Sequence, residues 1–351
     1  MVNRTIGIIG GGPAGVISGS YLLTAGFDVT IYEKNNRVIS TPCGEGISHS
    51  AILKLREDTG FDSAPYFSSS IKGLKNFFPG GNYTYTYEYG YVLEREKWID
   101  GIRRHFEKKG GTFLFEKNIT DISKMKEDII IGADGPISKV RSKIGGTVDL
   151  CTAMQYKMNL EWDNHELLEF YWDLDISDLY GWNFPKKDYF NVGVIGNLKK
   201  LQKFCEKYNI RGDIMKTEGY SIPFNGSNIH SGKYFLVGDS AGMANAFSKG
   251  GLAAIIYGSD ILSLCLKNNT PELYETKVRN HPAFSKKYSL AMRSILSLNQ
   301  KELEWIGKLT HNQDLLNLSL KTNIKALGKP KLTPTLLNII NAFKGGMKYA
   351  W

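Results

Sequence analysis

TIGIIGGGPAGVISGSYLLTAGFDVTIYE, residues 5–33, sets the architecture expected of this chain. Residues 5–9 form a continuous apolar run that reads as a buried strand. Residues 13–23 read as a helix opened by a proline, and residues 28–33 as a second strand in which Val29 and Ile31 alternate. Strand, helix and strand in that order make a βαβ unit, the seed of a parallel sheet. Between the first two elements lies Gly10-Gly11-Gly12-Pro13-Ala14-Gly15, with the spacing G-x-G-x-x-G. Gly10 permits a tight turn, Gly12 lets backbone amides approach a pyrophosphate at the positive helix N-terminus, and Gly15 allows close packing of helix on strand. Glu33 follows at about the 20-residue separation expected of a carboxylate that bonds a ribose hydroxyl. A tight βα turn without a ligand has no need of that carboxylate, so the unit predicts a dinucleotide site.

Residues 42–89 loosen into Gly, Ser, Pro and Tyr and end in the alternation Tyr83, Tyr85, Tyr87, Tyr89, which suggests an antiparallel strand. A helix is expected over 94–109 and strands over 112–115 and 128–131, the last running into Gly132-Ala133-Asp134-Gly135. Residues 151–222 carry alternating aromatic segments at 168–172 and 189–195 that fit an antiparallel sheet. A further buried strand over 234–237 ends at Gly238-Asp239, and a helix begins near Gly250-Gly251. The predicted fold is α/β: a Rossmann-like nucleotide-binding domain (1–64, 90–150 and 223–267), an inserted antiparallel-sheet substrate domain (65–89 and 151–222), and a C-terminal helical basic module (268–351).

Those later glycine elements point to FAD rather than NAD. Asp239, just past a buried strand, sits where its carboxylate can hold ribityl hydroxyls; its other reading is a helix cap or turn residue. The helix after Gly250 and Gly251 would aim its N-terminal amides at the flavin pyrimidine.

Composition narrows the functional classes. With 351 residues, 42% hydrophobic and 23% charged, the chain is an ordinary globular one of about two domains. The most apolar run, 252–266, is broken by Ser259, Asp260 and Ser263 and falls short of the ~20 residues of a membrane span. No leader peptide is recognisable, so a cytoplasmic location is expected. Cys43, Cys151, Cys205 and Cys265 lie far apart and the six histidines are scattered, which predicts no metal site. Residues 267–351 hold 14 Lys/Arg against 5 Asp/Glu, the whole of the net charge of +9. They lack a nucleic-acid-binding motif, so nucleic acid is not an expected partner.

Five segments resemble the geranylgeranyl reductase family, a branch of the flavoproteins built like p-hydroxybenzoate hydroxylase: GGGPAG at 10–15, PCGEGIS at 42–48, GADG at 132–135, YGWNFP at 180–185 and GDSAGMANAFSKGGL at 238–252. The first, third and fifth are shared by related hydroxylases, while the second and fourth are more selective. The resemblance implies FAD contacts from Ala14, Glu33, Cys43, Gly44, Gly46, Arg95, Ile119, Asp239, Gly251 and Leu252, beside Gly10, Gly12, Gly15 and Gly250 of the glycine turns. It implies an activity as well, the saturation of double bonds in isoprenoid chains of membrane lipids or related prenylated molecules, with ferredoxin or a reduced nicotinamide as external electron donor. Asn245-Ala246-Phe247-Ser248-Lys249 departs from the family's Asn-Pro and small residues, and the chain looks shorter than typical members. Lys249 would add positive charge near the pyrimidine, and Phe247 would narrow the pocket.

An isolated alkene is not electrophilic, so hydride addition from flavin N5 needs a proton delivered to the other carbon. Cys43 is the first candidate donor, because a thiol of pKa about 8.5 is mostly protonated at neutral pH; otherwise it is a small packed residue beside the ring. Tyr180 and Trp182, with Phe184 and Phe170, would wall a dry slot for a prenyl chain or else form an ordinary aromatic core. From Thr333-Pro334 onward a helix would present Leu336, Ile340, Phe343 and Met347 on one face, with Lys344, Lys348, Tyr349 and Trp351 suited to peripheral docking on an anionic membrane; the other reading packs that face on the domain. Two rival functions stand beside the reductase: a flavin monooxygenase or halogenase, since YGWNFP loosely resembles W-x-W-x-I-P, and a non-catalytic flavin-bearing lipid-binding protein.

Overall fold

A computed structural model describes residues 4–39, 41–318, 322, 325, 329, 332–346 and 349. The opening motif folds as read. β1 (Thr5–Ile9) enters the helix Pro13–Thr24, which returns to β2 (Asp28–Tyr32), and the two strands pair in parallel with Ile6 opposite Val29 and Ile8 opposite Ile31. The chain then makes β3 (Gly46–Ser48), β4 (Phe67–Phe78), β5 (Asn82–Leu93), β6 (Thr112–Leu114), β7 (Ile129–Gly132), β8 (Thr147–Asn159) and β9 (Leu167–Tyr171). It continues through β10 (Gly181–Pro185), β11 (Phe190–Ile195), β12 (Asp213–Ser227), β13 (His230–Ser231) and β14 (Tyr234–Leu236). Two sheets result. A six-stranded one runs β13-β14-β7-β1-β2-β6, and an eight-stranded one runs β12-β8-β11-β10-β9-β4-β5-β3.

In the six-stranded sheet β1, β2, β6, β7 and β14 pair in parallel, so their carboxyl ends open on one edge, where ligands of such sheets bind. The helices Pro13–Thr24 and Leu252–Lys267 cover this sheet, and Ile8, Val16, Ile17, Leu22, Ile31, Ile131 and Leu236 form its dry core. Such continuous burial explains why the strands read as apolar runs rather than alternating ones. Gly15 is what lets the first helix seat: a Cβ there would lie 1.9 Å from the Gly10 carbonyl oxygen.

The eight-stranded sheet draws on more of the chain than residues 65–89 and 151–222. β3 joins it at one edge, β5 runs on to Leu93, and the β8–β12 ladder extends from Thr147 to Ser227, carried past register shifts at 214–216 and 224–227. The helix His49–Thr59 was not expected in the loose stretch 42–89. Ser48 caps it, Gly60 ends it in the left-handed region, and Ala51, Ile52 and Leu55 are buried.

The C-terminal helices share a core with the second sheet. Tyr288, Ala291, Ile295, Leu303, Ile306, Leu336, Ile339 and Phe343 pack with Phe170, Trp172 and Trp182. Leu336, Ile340 and Phe343 are therefore buried, and Lys344 is exposed, which is the second of the two expected arrangements for that helix. Met347, Lys348 and Trp351 lie outside the described residues. Among the described residues no helix is long and apolar enough to cross a membrane.

Because the Gly15 position has no room for a methyl group, Gly15→Ala is expected to lower the unfolding free energy by about 3 kcal/mol. Urea midpoints of the parent and variant apoproteins measure this, and equal midpoints would show the turn to be more forgiving than its geometry.

Candidate active site

One large cavity, of about 750 Å³, runs from the carboxyl edge of the parallel sheet to the face of the antiparallel one. At its first end the backbone does the work. Gly10 has φ +104°, and a Cβ on it would meet the Ala133 carbonyl oxygen at 2.4 Å. A Cβ at Gly12 would meet nothing within 4 Å, so the amide edge of the helix Pro13–Thr24 opens directly onto the cavity. Gly10, Gly12 and Ala14 line it, whereas Gly15 does not; its lack of a side chain serves packing alone. Glu33 lines it too, with Oε2 accepting from the Gly11 amide at 2.7 Å and Oε1 from the Asn35 amide at 2.8 Å. The carboxylate thus braces the glycine turn, and its remaining lone pairs are available to a ribose.

At the middle, Gly251 caps the sixteen-residue helix Leu252–Lys267, and a Cβ there would again meet open space. Gly250, Gly251 and Leu252 all line the cavity. Asp239 follows β14, and its Oδ2 accepts from the Tyr220 hydroxyl at 2.7 Å. Burial pushes the Asp239 carboxyl above the usual carboxylate range, opposed by Tyr220 and by the charges of Arg95 and Arg141. Arg141 also donates to the Ser240 carbonyl at 3.0 Å, fastening this turn. Arg95 opens the helix Arg95–Lys108 and reaches the Thr41 hydroxyl at 2.9 Å, which ties down the start of the 42–48 segment. Arg95 and Ile119 line the cavity as well. Two helix N-termini, a bare glycine cradle and carboxylates at the strand ends are what a dinucleotide of FAD's kind requires, and the cradle fits it.

Cys43, Gly44 and Gly46 stand between this end and the aromatic end. The Cys43 thiol accepts from the Glu45 amide at 3.2 Å, and burial raises its pKa, opposed first by the charge of Arg95. Across β8, β11, β10 and β9 one row faces the loop: Gln155 opposite Gly193, Gly193 opposite Trp182, Trp182 opposite Phe170. Gly193 gives the Trp182 indole a flat bed, since a Cβ would lie 2.1 Å from it. Phe170 meets Tyr180 and Phe184 edge-on, each at 5.2 Å between ring centres. Tyr180 precedes β10 rather than lying on it, and its hydroxyl donates to the Ser248 carbonyl.

Sequence reasoning missed Tyr220, Gln155 and Arg141. Tyr220 alternates with Glu218 and Ile222 on β12, a spacing that was available; Gln155 and Arg141 carried no signal. Phe247 does not reach the cavity: it stacks on Trp172 at 4.8 Å and meets Phe343 edge-on. Lys249 lines the cavity but turns its ammonium into apolar surroundings, 3.2 Å from the centre of the Phe224 ring and 3.4 Å from the Met292 sulfur. Among the described residues no carboxylate pairs with it, and its backbone holds φ +57°.

A family model described as FAD binding domain matches residues 3–66. Digeranylgeranylglycerophospholipid reductase 1 of Methanosphaera stadtmanae is 25% identical over 97% of both chains. The crystal structure of a geranylgeranyl bacteriochlorophyll reductase-like protein from Thermoplasma acidophilum superposes with a TM-score of 0.80 at 20% identity, covering 97% of this chain and 99% of that one. Over nearly its whole length the chain is similar to geranylgeranyl reductase-like flavoproteins. FAD is its cofactor. The same fold extends to the flavin-dependent halogenase CmlS, at a TM-score of 0.72 and 15% identity over 96% of this chain and 72% of that one.

Burial pulls the Lys249 ammonium down to about 8 from its ordinary 10.5. The folded chain therefore bears the full penalty of the buried charge below pH 8 and sheds it as pH rises toward the unfolded value. Lys249→Met is expected to stabilise the fold on the order of 2 kcal/mol at pH 7 and hardly at all above pH 10. Urea titrations of the apoproteins at both pH values check this, and equal gains at both would contradict it.

Proposed function

We propose that this chain saturates carbon–carbon double bonds of geranylgeranyl or related isoprenoid chains in membrane lipids. The observation that carries the reading is the continuity of the cavity, from the bare glycine cradle past Cys43 to the aromatic row of β9 and β10. The names borne by its relatives support the substrate class. When bound, FAD supplies the hydride that adds to one carbon of the alkene.

The residues of the chain supply the rest. Gly10, Gly12, Ala14, Glu33, Arg95, Ile119, Asp239, Gly250, Gly251 and Leu252, with Gly44 and Gly46, hold the cofactor. Phe170, Tyr180, Trp182 and Phe184 exclude water and bind the chain of isoprene units by apolar contact. Cys43 is the general acid. Burial keeps the proton on Sγ at neutral pH, while the Arg95 charge and the Glu45 amide favour the thiolate left after transfer. Burial also keeps the nearby Tyr180 hydroxyl a neutral phenol, so it adds no charge to the slot.

Electrons reach the site from an external donor, ferredoxin or a reduced nicotinamide. Docking on an anionic membrane surface belongs to the same proposal, carried by exposed lysines such as Lys344 rather than by the apolar face of the last helix, which is buried. Binding to anionic vesicles should then weaken steeply with salt; absence of binding at low ionic strength removes the membrane from the account.

Anaerobic incubation of chemically reduced holoprotein with a geranylgeranylated phospholipid, followed by mass spectrometry, tests the activity. A gain of two hydrogens per double bond is expected. Retained lipid of unchanged mass favours a binding protein, and products that form only with oxygen favour the oxygenase or halogenase reading. In the same assay Cys43→Ala should stay flavin-replete and lose at least about tenfold in rate; an undiminished rate takes the acid role away from Cys43.

A further inference from the structure

Lys186 follows β10 in the segment Pro185-Lys186-Lys187-Asp188, which in sequence reads as a solvated turn. Instead its side chain is among the most deeply buried in the molecule, with 2% of the residue exposed. Its ammonium donates to Glu45 Oε2 at 2.6 Å and to the Leu93 carbonyl at 2.5 Å, and pairs with Glu94 Oε1 at 3.1 Å. An ammonium has three protons, and all three are used. Glu45 is buried as well and holds φ +69°, a left-handed conformation that a glutamate rarely adopts. A desolvated ion pair and a strained backbone at the same point are an uneconomical way to gain stability alone, since a well-packed apolar pair serves that end as well or better.

What the arrangement does fix is the loop. The Glu45 backbone amide donates to the Cys43 sulfur, and the Glu45 carbonyl accepts from the Leu93 amide at 3.0 Å. Gln155 Nε2 donates to the Cys43 carbonyl at 3.2 Å, and Asn191 Nδ2 to the Gly44 carbonyl at 3.3 Å. Gly44 lies flat on Phe184, where a Cβ would come within 2.7 Å of the ring. Residues 43 and 44 are thus gripped by residues of the antiparallel sheet and residue 45 by the turn that follows β10, and only for Glu45 is the grip ionic and through the side chain.

We propose that Lys186 is a positioning residue: through Glu45 it locks the 43–46 loop so that the Cys43 thiol faces the cavity between the glycine cradle and the aromatic row. Its catalytic meaning rests on the reading of Cys43 as the acid; its geometric content does not.

Lys186→Met alone leaves the Glu45 carboxylate buried and uncompensated and so endangers folding. The test therefore uses the double variant K186M/E45Q, which removes both charges, as holoprotein beside the parent. Iodoacetamide labelling is followed site by site through peptide mass spectrometry. Release of the loop should accelerate labelling of Cys43 about tenfold while Cys205 and Cys265 label at the parental rate, a selectivity that a merely structural role would not produce. Labelling of Cys43 no faster than in the parent overturns the inference, and so does acceleration of all three cysteines together. Labelling requires no substrate and no turnover, so this result is independent of whether the chain reduces alkenes.

Discussion

Everything at this site depends on the seating of one short loop. The carboxyl edge of the parallel sheet and the aromatic face of the antiparallel sheet belong to separate cores, and residues 43–46 pass between them before joining the second sheet as β3. Gln155, Asn191 and Lys186 hold that loop from below, and Arg95 holds Thr41 just ahead of it. Without this clamp the glycine cradle and the aromatic row would be two unrelated surfaces; with it they become one cavity with a thiol at its waist.

The locations of strain follow from that arrangement. Glu45 and Lys249 are non-glycine residues in the left-handed region, both are buried, and both carry charge. Glu45 is compensated by Lys186. Lys249 has an aromatic face and a thioether instead, which solvate an ammonium far less well than a carboxylate or water. Its side chain leaves the cavity for the interface between the antiparallel sheet and the helix Lys286–Leu296, so the departure from the family pattern at 245–251 changes what lies behind the site more than the site itself.

Much of the fold was legible because the decisive signals were local. A buried strand, glycines at three fixed offsets and an acidic residue at the end of the next strand specify the βαβ unit without reference to the rest of the chain. The same holds for Tyr83 to Tyr89, whose alternation marks β5. The helix His49–Thr59 escaped notice because its apolar residues are few, although Ser48 as cap and Gly60 as stop were both present. The lining of the cavity was legible where backbone geometry dictates the residue, at Gly10, Gly12 and Gly251, where the end of a buried strand places it, at Asp239, and where the resemblance supplied the position, at Cys43. It was illegible where function is made by tertiary neighbours. Lys186 in a Pro-Lys-Lys-Asp turn looks like any solvated lysine, and only the meeting of β10 with Glu45 and Leu93 makes it an anchor. The amphipathic helix Thr333–Gly346 posed the converse problem, because an apolar face reads the same whether protein or lipid covers it.

On the function proposed for this chain, a flavin held by the glycine cradle faces an apolar slot that takes an isoprenoid chain. Anaerobic titration of the reduced holoprotein tests it most directly, with flavin absorbance as the readout. Addition of a geranylgeranylated phospholipid should return the oxidised spectrum in proportion to the double bonds supplied, whereas the fully saturated lipid should leave the flavin reduced. Reoxidation by neither lipid, or by both alike, would contradict the account.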